Sequence, residues 1–325
     1  MQTRPTNNMT REVAFFLKGL EKAAIATHTG ADGDAVGSAV ALLYLLRYLG
    51  VEAMFCYSEE VTDYLCWLLP EEPLKERPPD HDLLVVDTSR ADRISVRDGE
   101  ARPVRLNLDH HEDNPLYGEL NLVDPQAAAS AEVVARLYAE LGVPLKGRAA
   151  EAIYAGIYTD TGGFRFRNVS PEAYELAADL LRAGVVPAEI DNRINRTSTV
   201  EQLNIVGVSL ANAEQYGEAL VSVVDGSDYK CTGATEFDSK ESIDYLRTVA
   251  GVEVVAHLRE VEDGTKASLR SEHVDVGAVA RRFGGGGHTL AAGYTTEKPP
   301  REAKEELLEA LRGVVNLGRE LGRLT

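Results

Sequence analysis

No stretch of this 325-residue chain is apolar for long enough to suggest a bilayer crossing: the longest uninterrupted run, Ala39 to Leu46, has eight residues, against about 20 for a spanning helix. The amino end offers only Val13 to Leu17, flanked by Arg11, Glu12 and Lys18, which is no secretory signal core. No membrane contact and a cytoplasmic address are therefore expected. Cysteine is scarce. Cys56, Cys66 and Cys231 are odd in number and form no CxxC, so neither a disulfide framework nor a thiolate zinc site is expected; the three read as reduced core residues. Positive charge is also short, with 34 Lys and Arg against 52 Asp and Glu and a net charge of -18. That balance repels a long phosphate backbone, so long duplex nucleic acid is not an expected partner. A small anionic substrate stays compatible if bound cations and a few local arginines reverse the sign inside one cleft. What remains, 44% apolar and 26% charged residues, is ordinary globular composition. At roughly 150 residues per domain it favours two domains.

The first two hundred residues alternate short β-branched runs with helical stretches, the pattern of a parallel sheet wrapped by helices. Strands are expected at Ala23 to His28, Val51 to Tyr57, Asp82 to Asp87 and Val104 to Asp109. Helices are expected at Asp34 to Leu49, apolar nearly all round, and at Ser130 to Leu141, Arg148 to Tyr158, Pro171 to Ala183 and Pro187 to Asn195. Around Arg196 to Thr199 the apolar periodicity fades, which marks a hinge. The division expected is 1–196, a hinge at 197–200, and 201–325. The second part reads as strands at Glu218 to Asp225, Glu253 to Val261 and Lys266 to Arg270. Its helices are expected at Ser239 to Ala250, Asp275 to Phe283 and Arg301 to about Arg319.

Acidic residues and histidines collect at the ends of the predicted strands. His28, Asp32 and Asp34 follow the first strand as His-x-x-x-Asp-x-Asp, Asp87 ends the third, Asp109, His110 and His111 end the fourth, and Asp160 closes a helix before Thr161 and Gly162. In an open parallel sheet the carboxyl ends of the strands face one crevice, where ligands bind. Singly, Asp34 or Asp160 is as readily a helix cap or turn residue, and a lone histidine is more often a satisfied one than a ligand. Together they share no structural purpose. Asp32, Asp34, Asp87 and Asp160 in one crevice would carry about four negative charges, which self-repulsion disfavours and two divalent cations would neutralise. Carboxylate and imidazole donors without thiolate suit Mn²⁺ or Mg²⁺. Two such ions roughly 3.5–4 Å apart activate a water and offset charge growing on a phosphoryl group.

The passages His28 to Ser38, Val86-Asp87-Thr88, Asn107 to His111 and Thr159 to Gly162 resemble, in order and spacing, the motifs of the DHH phosphoesterase superfamily. Ser268-Leu269-Arg270-Ser271 and Arg281 to His288 resemble the accompanying DHHA1 domain, and the layout is most similar to the nanoRNase/pAp phosphatase branch, the bifunctional oligoribonucleases. The resemblance implies an α/β protein with an N-terminal DHH domain, its parallel sheet flanked by helices, and a smaller C-terminal DHHA1 α/β domain across a cleft. It implies that His28, Asp32 and Asp87 hold one metal ion, most often Mn²⁺, and that Asp34, Asp87, His110 and Asp160 hold a second, with Asp87 bridging. Asp109 would orient its neighbours, and His111 would meet the scissile phosphate or leaving oxygen. One departure is visible: the family usually carries proline where this chain has Ala31, and slight loosening of the loop is expected.

In the second part, Gly284 to Gly287 could cradle a phosphate through backbone N–H groups, although a glycine run is equally a flexible linker. Arg281, Arg282 and Arg270 lie close enough in sequence to supply guanidinium contacts, or to be solvated surface charges. The resemblance makes Arg270, Ser271, Gly285, Gly286, Gly287 and His288 the grip on the nucleotide end away from the metals. It implies hydrolysis of short oligoribonucleotides, as a 3′–5′ type exonuclease, and of 3′-phosphoadenosine 5′-phosphate by a two-metal-activated hydroxide. Two alternatives stay open: a linear or cyclic dinucleotide phosphodiesterase with the same chemistry, and a non-catalytic nucleotide sensor. Mononucleotide bisphosphates, dinucleotides and short RNA are thus the expected partners, and a homodimer is left open.

Overall fold

The computed structural model describes residues 7–96, 103–196 and 198–317. By compactness the chain divides into 1–197 and 198–325. The first unit runs α1 Thr10–Lys18, β1 Lys22–Ala26, α2 Gly33–Tyr48, β2 Glu52–Phe55, β3 Asp82–Val86, β4 Val104–Asp109, β5 Leu120–Val123, α3 Ser130–Leu141, α4 Arg148–Asp160, α5 Pro171–Arg182 and α6 Pro187–Asn195. Short 3₁₀ turns at Asp63–Leu68 and Ala91–Arg93 interrupt the loops. Its sheet has the order β2-β1-β3-β4-β5 and every pairing is parallel. This is the parallel sheet expected from the sequence, with the strand ends drawn in by a residue or two where the chain turns toward the crevice. Two elements were not anticipated. β5 is a four-residue run, too short to tell from a buried loop by periodicity, and α1 contributes Val13, Ala14 and Leu17 to the core.

The centre of this unit is α2. Every residue from Gly33 through Leu43 is buried, as its apolar girth requires. It lies against α4 at very close range because glycines remove side chains at the crossing. A Cβ on Gly37 would stand 2.5 Å from the Ala152 carbonyl, and one on Gly156 would stand 2.8 Å from Asp34 Oδ1. The close approach sets the amino end of α2 beside the carboxyl end of α4.

The second unit runs α7 Val200–Ala211, β6 Glu214–Tyr216, β7 Ala219–Val224, α8 Gly226–Thr232, α9 Ser242–Leu246, β8 Val254–Val261, β9 Gly264–Ser271, α10 Val276–Arg281, β10 Gly286–Gly287, β11 Ala291–Thr296 and α11 Pro300–Leu311. Its mixed sheet has the order β10-β11-β9-β8-β7-β6. The helix expected at Ser239 to Ala250 is shorter, five residues of α9 followed by turns. The closing helix ends at Leu311 rather than near Arg319, which lies outside the described residues together with Gly318. Of the expected hinge, Thr197 lies outside the described residues, Thr199 caps α7 by accepting from the Gln202 amide (3.1 Å), and Val200 is the first helical residue. The cysteines do not all lie in the core: Cys56 is buried, but Cys66 and Cys231 sit on short helical turns and are exposed. Among the described residues no helix is long and apolar enough to cross a membrane.

Candidate metal centre

The carboxyl ends of β1, β3 and β4 deliver His28, Asp87 and the Asp109–His111 triplet to one crevice, the amino end of α2 delivers Asp32 and Asp34, and the last turn of α4 delivers Asp160. A cavity of about 270 Å³ lies there, lined by His28, Gly30, Asp32, Asp87, Thr88, Ser89, Arg93, His110, His111 and Asp160. The ligand atoms of His28, Asp32 and Asp87 lie within 4.8 Å of one another, as do those of Asp34, His110 and Asp160, and those of Asp87, His110 and His111.

Each carboxylate is aimed by a different device. Asp32, not Asp34, is the N-cap of α2: its Oδ1 accepts from the Asp34 and Ala35 amides at 3.1 and 3.0 Å. Asp34 serves another helix. The N-cap of α3, Ala129, has no capping side chain, and Asp34 supplies the acceptors from across the fold, taking hydrogen bonds from the Ser130 amide (2.6 Å) and the Ala131 amide (2.9 Å). The positive end of α3 thus points at a carboxylate. Asp87 has φ +50, a left-handed backbone that costs a non-glycine residue energy and that aspartate tolerates better than most. The Ser130 hydroxyl donates to its Oδ1 at 2.9 Å. Asp160 is no cap: it ends α4, and Asn168 Nδ2 donates to its Oδ2 at 3.3 Å.

The histidines are equally committed. His28 Nδ1 lies 3.0 Å from the Thr29 carbonyl and His110 Nδ1 lies 3.2 Å from that of Ala127. A carbonyl only accepts, so Nδ1 carries a proton in either charge state, and deprotonation of the ring leaves the lone pair on Nε2. That atom sits 3.5 Å from Asp87 in His28, and 3.8 and 3.6 Å from Asp87 and Asp160 in His110. Asp109 is fully buried. Its Oδ1 accepts from the His110 amide (2.9 Å) and from His111 Nδ1 (2.7 Å), and its Oδ2 accepts from Asn114 Nδ2 (2.5 Å).

Charge is unbalanced in this arrangement. Among the described residues no lysine or arginine ion-pairs with Asp32, Asp34, Asp87, Asp109 or Asp160; the partners are histidines. Burial, then Asp87, Asp160 and Asp32, push the Asp34 carboxyl well above the ordinary range. Burial raises Asp160 to about 6, opposed by His110. Burial also acts to raise Asp87, but the His28 hydrogen bond and the charges of His110 and His111 bring it below the ordinary value. The hydrogen bond to Asp109 lifts His111 to about 9. A crevice that must take up protons to relieve its carboxylates is one that divalent cations fit, and the aimed oxygens and Nε2 lone pairs are hard and borderline donors.

Arg270, Ser271 and the glycine run belong to the other unit, where they gather at one end of the mixed sheet. Ala291 pairs with Arg270, the Ser271 amide donates to the Leu290 carbonyl (3.0 Å), and the His288 amide donates to that of Ala291 (2.8 Å). The Ser271 hydroxyl is engaged by Glu253 (2.9 Å) and by the Val274 amide (2.8 Å). Much of the glycine run has a steric explanation. Gly284 and Gly287 have φ +76 and +132, and a Cβ on Gly285 would strike Gly293 and Tyr294, whereas Gly286 has open space around it. Arg281 is turned to Asp275 (3.4 Å) and Arg282 to the Ala310 carbonyl (3.2 Å). Sequence reasoning missed Ser130, Asn114 and Asn168, whose residue types are common and whose spacing carries no signal.

The model of the DHH family, N-terminal domain, matches residues 22–157, and that of the DHHA1 domain matches 217–317. The chain belongs to the DHH family of phosphoesterases, metal-dependent hydrolases. It is 37% identical over 313 residues, 93% of each chain, to the bifunctional oligoribonuclease and PAP phosphatase NrnA of Thermus thermophilus. A Bacillus subtilis protein of the same name is 28% identical over 82% of this chain and 86% of its own. The crystal structure of an exopolyphosphatase-related protein from Bacteroides fragilis shares the fold, with a TM-score of 0.82 at 23% identity over 94% of this chain and 95% of that one.

Proposed function

We propose that the chain hydrolyses short oligoribonucleotides and 3′-phosphoadenosine 5′-phosphate in the cytoplasm, using two divalent cations of the Mn²⁺ or Mg²⁺ kind. The observation that carries this reading is a pair of donor sets, His28-Asp32-Asp87 and Asp34-His110-Asp160, that meet at Asp87. The near full-length similarity to the Thermus thermophilus enzyme supports the substrate class. His28, Asp32 and Asp87 would hold one cation, and Asp34, Asp87, His110 and Asp160 the other. When bound, two such cations make water a nucleophile at neutral pH and neutralise charge on the phosphoryl oxygens.

The remaining steps belong to the chain. Asp109 fixes His111 by its Nδ1 proton, so Nε2 is the ring atom left to hydrogen-bond the scissile phosphate or departing oxygen. Ser130 and the α3 amides hold Asp87 and Asp34 in place without adding charge. Arg270, Ser271, Gly285 to Gly287 and His288 bind the rest of the nucleotide, with Arg270 supplying the guanidinium. The net charge of -18 works against long duplexes. The test is a turnover panel in Mn²⁺ and Mg²⁺ on 3′-phosphoadenosine 5′-phosphate, a cyclic dinucleotide and RNA of two to several residues labelled at either end. Preference for the cyclic dinucleotide, or tight binding with no turnover, overturns the proposal, and the labelled ends give the polarity.

A further inference from the structure

We infer that Tyr57 and Glu59 form a clamp that positions the loop between His28 and Asp32, and through it one of the two donor sets. The inference rests on the two-cation reading above. The loop following β1 has only three residues between His28 and Asp32, and its turn is made at Gly30, with φ +68. Its amides are held one after another. The Thr29 N–H donates to the Arg93 carbonyl (2.8 Å), the Gly30 N–H to Glu59 Oε2 (2.7 Å), and the Ala31 N–H to the Tyr57 hydroxyl (2.8 Å). The Tyr57 hydroxyl in turn donates to the same Glu59 oxygen (3.0 Å), closing a ring of three hydrogen bonds. Lys75 Nζ holds the Glu59 carbonyl (2.7 Å).

The placement follows from the sheet. Ile25 of β1 pairs with Phe55 of β2, so the residues just beyond both strand ends are neighbours. The Tyr57 ring is buried and stacks on Phe55, with centroids 6.0 Å apart. Its hydroxyl therefore arrives in the loop as a fixed post. Ala31 is itself buried, so removing the hydroxyl takes from its N–H the acceptor it has in the fold, in a largely desolvated place. Neither Tyr57 nor Glu59 is a ligand in either donor set. Their function is to fix where His28 and Asp32 stand relative to Asp87.

The ring of Tyr57 serves packing and its hydroxyl serves position, and Tyr57→Phe separates the two. The readouts are Mn²⁺ titration calorimetry on the full chain and amide hydrogen exchange at Gly30 and Ala31 in the metal-free protein. Tyr57→Phe should weaken one of the two binding steps by about 10- to 100-fold and leave the other within about threefold, the range for loss of a residue that orients a ligand. Exchange at Gly30 and Ala31 should quicken. Glu59 is exposed, so Glu59→Ala leaves packing intact and should show the same selective weakening, while Glu59→Gln, which keeps an acceptor oxygen, should behave as the parent. Adding Ala31→Pro to Tyr57→Phe removes the orphaned donor and should restore the weakened step. Two parental steps in both Tyr57→Phe and Glu59→Ala overturn the clamp. So does equal weakening of both steps that Ala31→Pro does not rescue. A parent chain that takes up no Mn²⁺ overturns the two-cation reading itself; exchange then decides the clamp alone, and unchanged exchange in Tyr57→Phe overturns it.

Discussion

Gly156→Ala adds one methyl group in the wall behind Asp34 and removes no ligand. The new Cβ would lie 2.7 Å from the Ala131 Cβ and 2.8 Å from Asp34 Oδ1, well inside ordinary contact. Asp34 cannot yield freely, because both its oxygens are tied to the α3 amides of Ser130 and Ala131. Overpacking of this kind costs about 1–3 kcal/mol, and loosening a hydrogen bond to a charged group adds about 1.5–3 kcal/mol. Better helix propensity returns at most about 1 kcal/mol. A net loss of about 1.5–5 kcal/mol in a unit of this size lowers the Tm by about 3–20 °C. Gly37→Ala is the control. Its Cβ would meet the Ala152 carbonyl at 2.5 Å on the same helix crossing, and the Asp34 carboxylate is not among the three atoms nearest to it. Scanning calorimetry of the metal-free variants and Mn²⁺ titration should show comparable loss of Tm in both, with the larger loss of metal affinity in Gly156→Ala. Equal affinity losses would mean that the two helices merely move apart, and parental affinity in Gly156→Ala would refute the role given to Asp34.

Asp87→Asn keeps a side chain that tolerates φ +50 while removing the charge both donor sets share, so turnover should fall by at least about a hundredfold; near-parental rates with added Mn²⁺ would refute the bridging role. Arg270→Ala should raise KM by about 10- to 100-fold through loss of a charged contact and change kcat little, and a kcat effect alone would place Arg270 elsewhere. Excess chelator should abolish activity and Mn²⁺ should restore it; turnover that survives chelation refutes the metal requirement. Burial, helped by Arg259, pushes His257 down to about 3 from 6.5. The unfolded chain therefore binds that proton first, so the contribution is complete above about pH 6.5 and is lost as pH falls toward 3, at about 1.4 kcal/mol per pH unit. His257→Asn should flatten the pH dependence of urea-derived stability between pH 6.5 and 4.5, and an unchanged slope would refute it.

What the sequence revealed of the site is what short spacing can encode. His28-x-x-x-Asp32-x-Asp34 and Asp109-His110-His111 each occupy one strand end or helix start, so local periodicity was enough to send them to one crevice, and the parallel sheet did the rest. The supports were illegible for a physical reason. Ser130 reaches Asp87 across 43 positions and the α3 amides reach Asp34 across 96 and 97, and serine and backbone N–H carry no signature until the fold is known. Asp34 stands in the first turn of α2 yet caps α3, and capping of one helix by a residue of another is a tertiary event. In the second unit the same residue types have a second, structural explanation. Gly285 and Gly287 read as an open cradle, yet close approach to β11 already demands glycine at both, and the Ser271 hydroxyl is taken by Glu253. In the first unit the candidate donors are visible in the sequence and their supports are hidden, whereas in the second the packing of the hairpin and a phosphate grip call for the same residue types. Gly286, with no neighbour to forbid a side chain, is accordingly the glycine of that run whose substitution tests ligand contact without disturbing the hairpin.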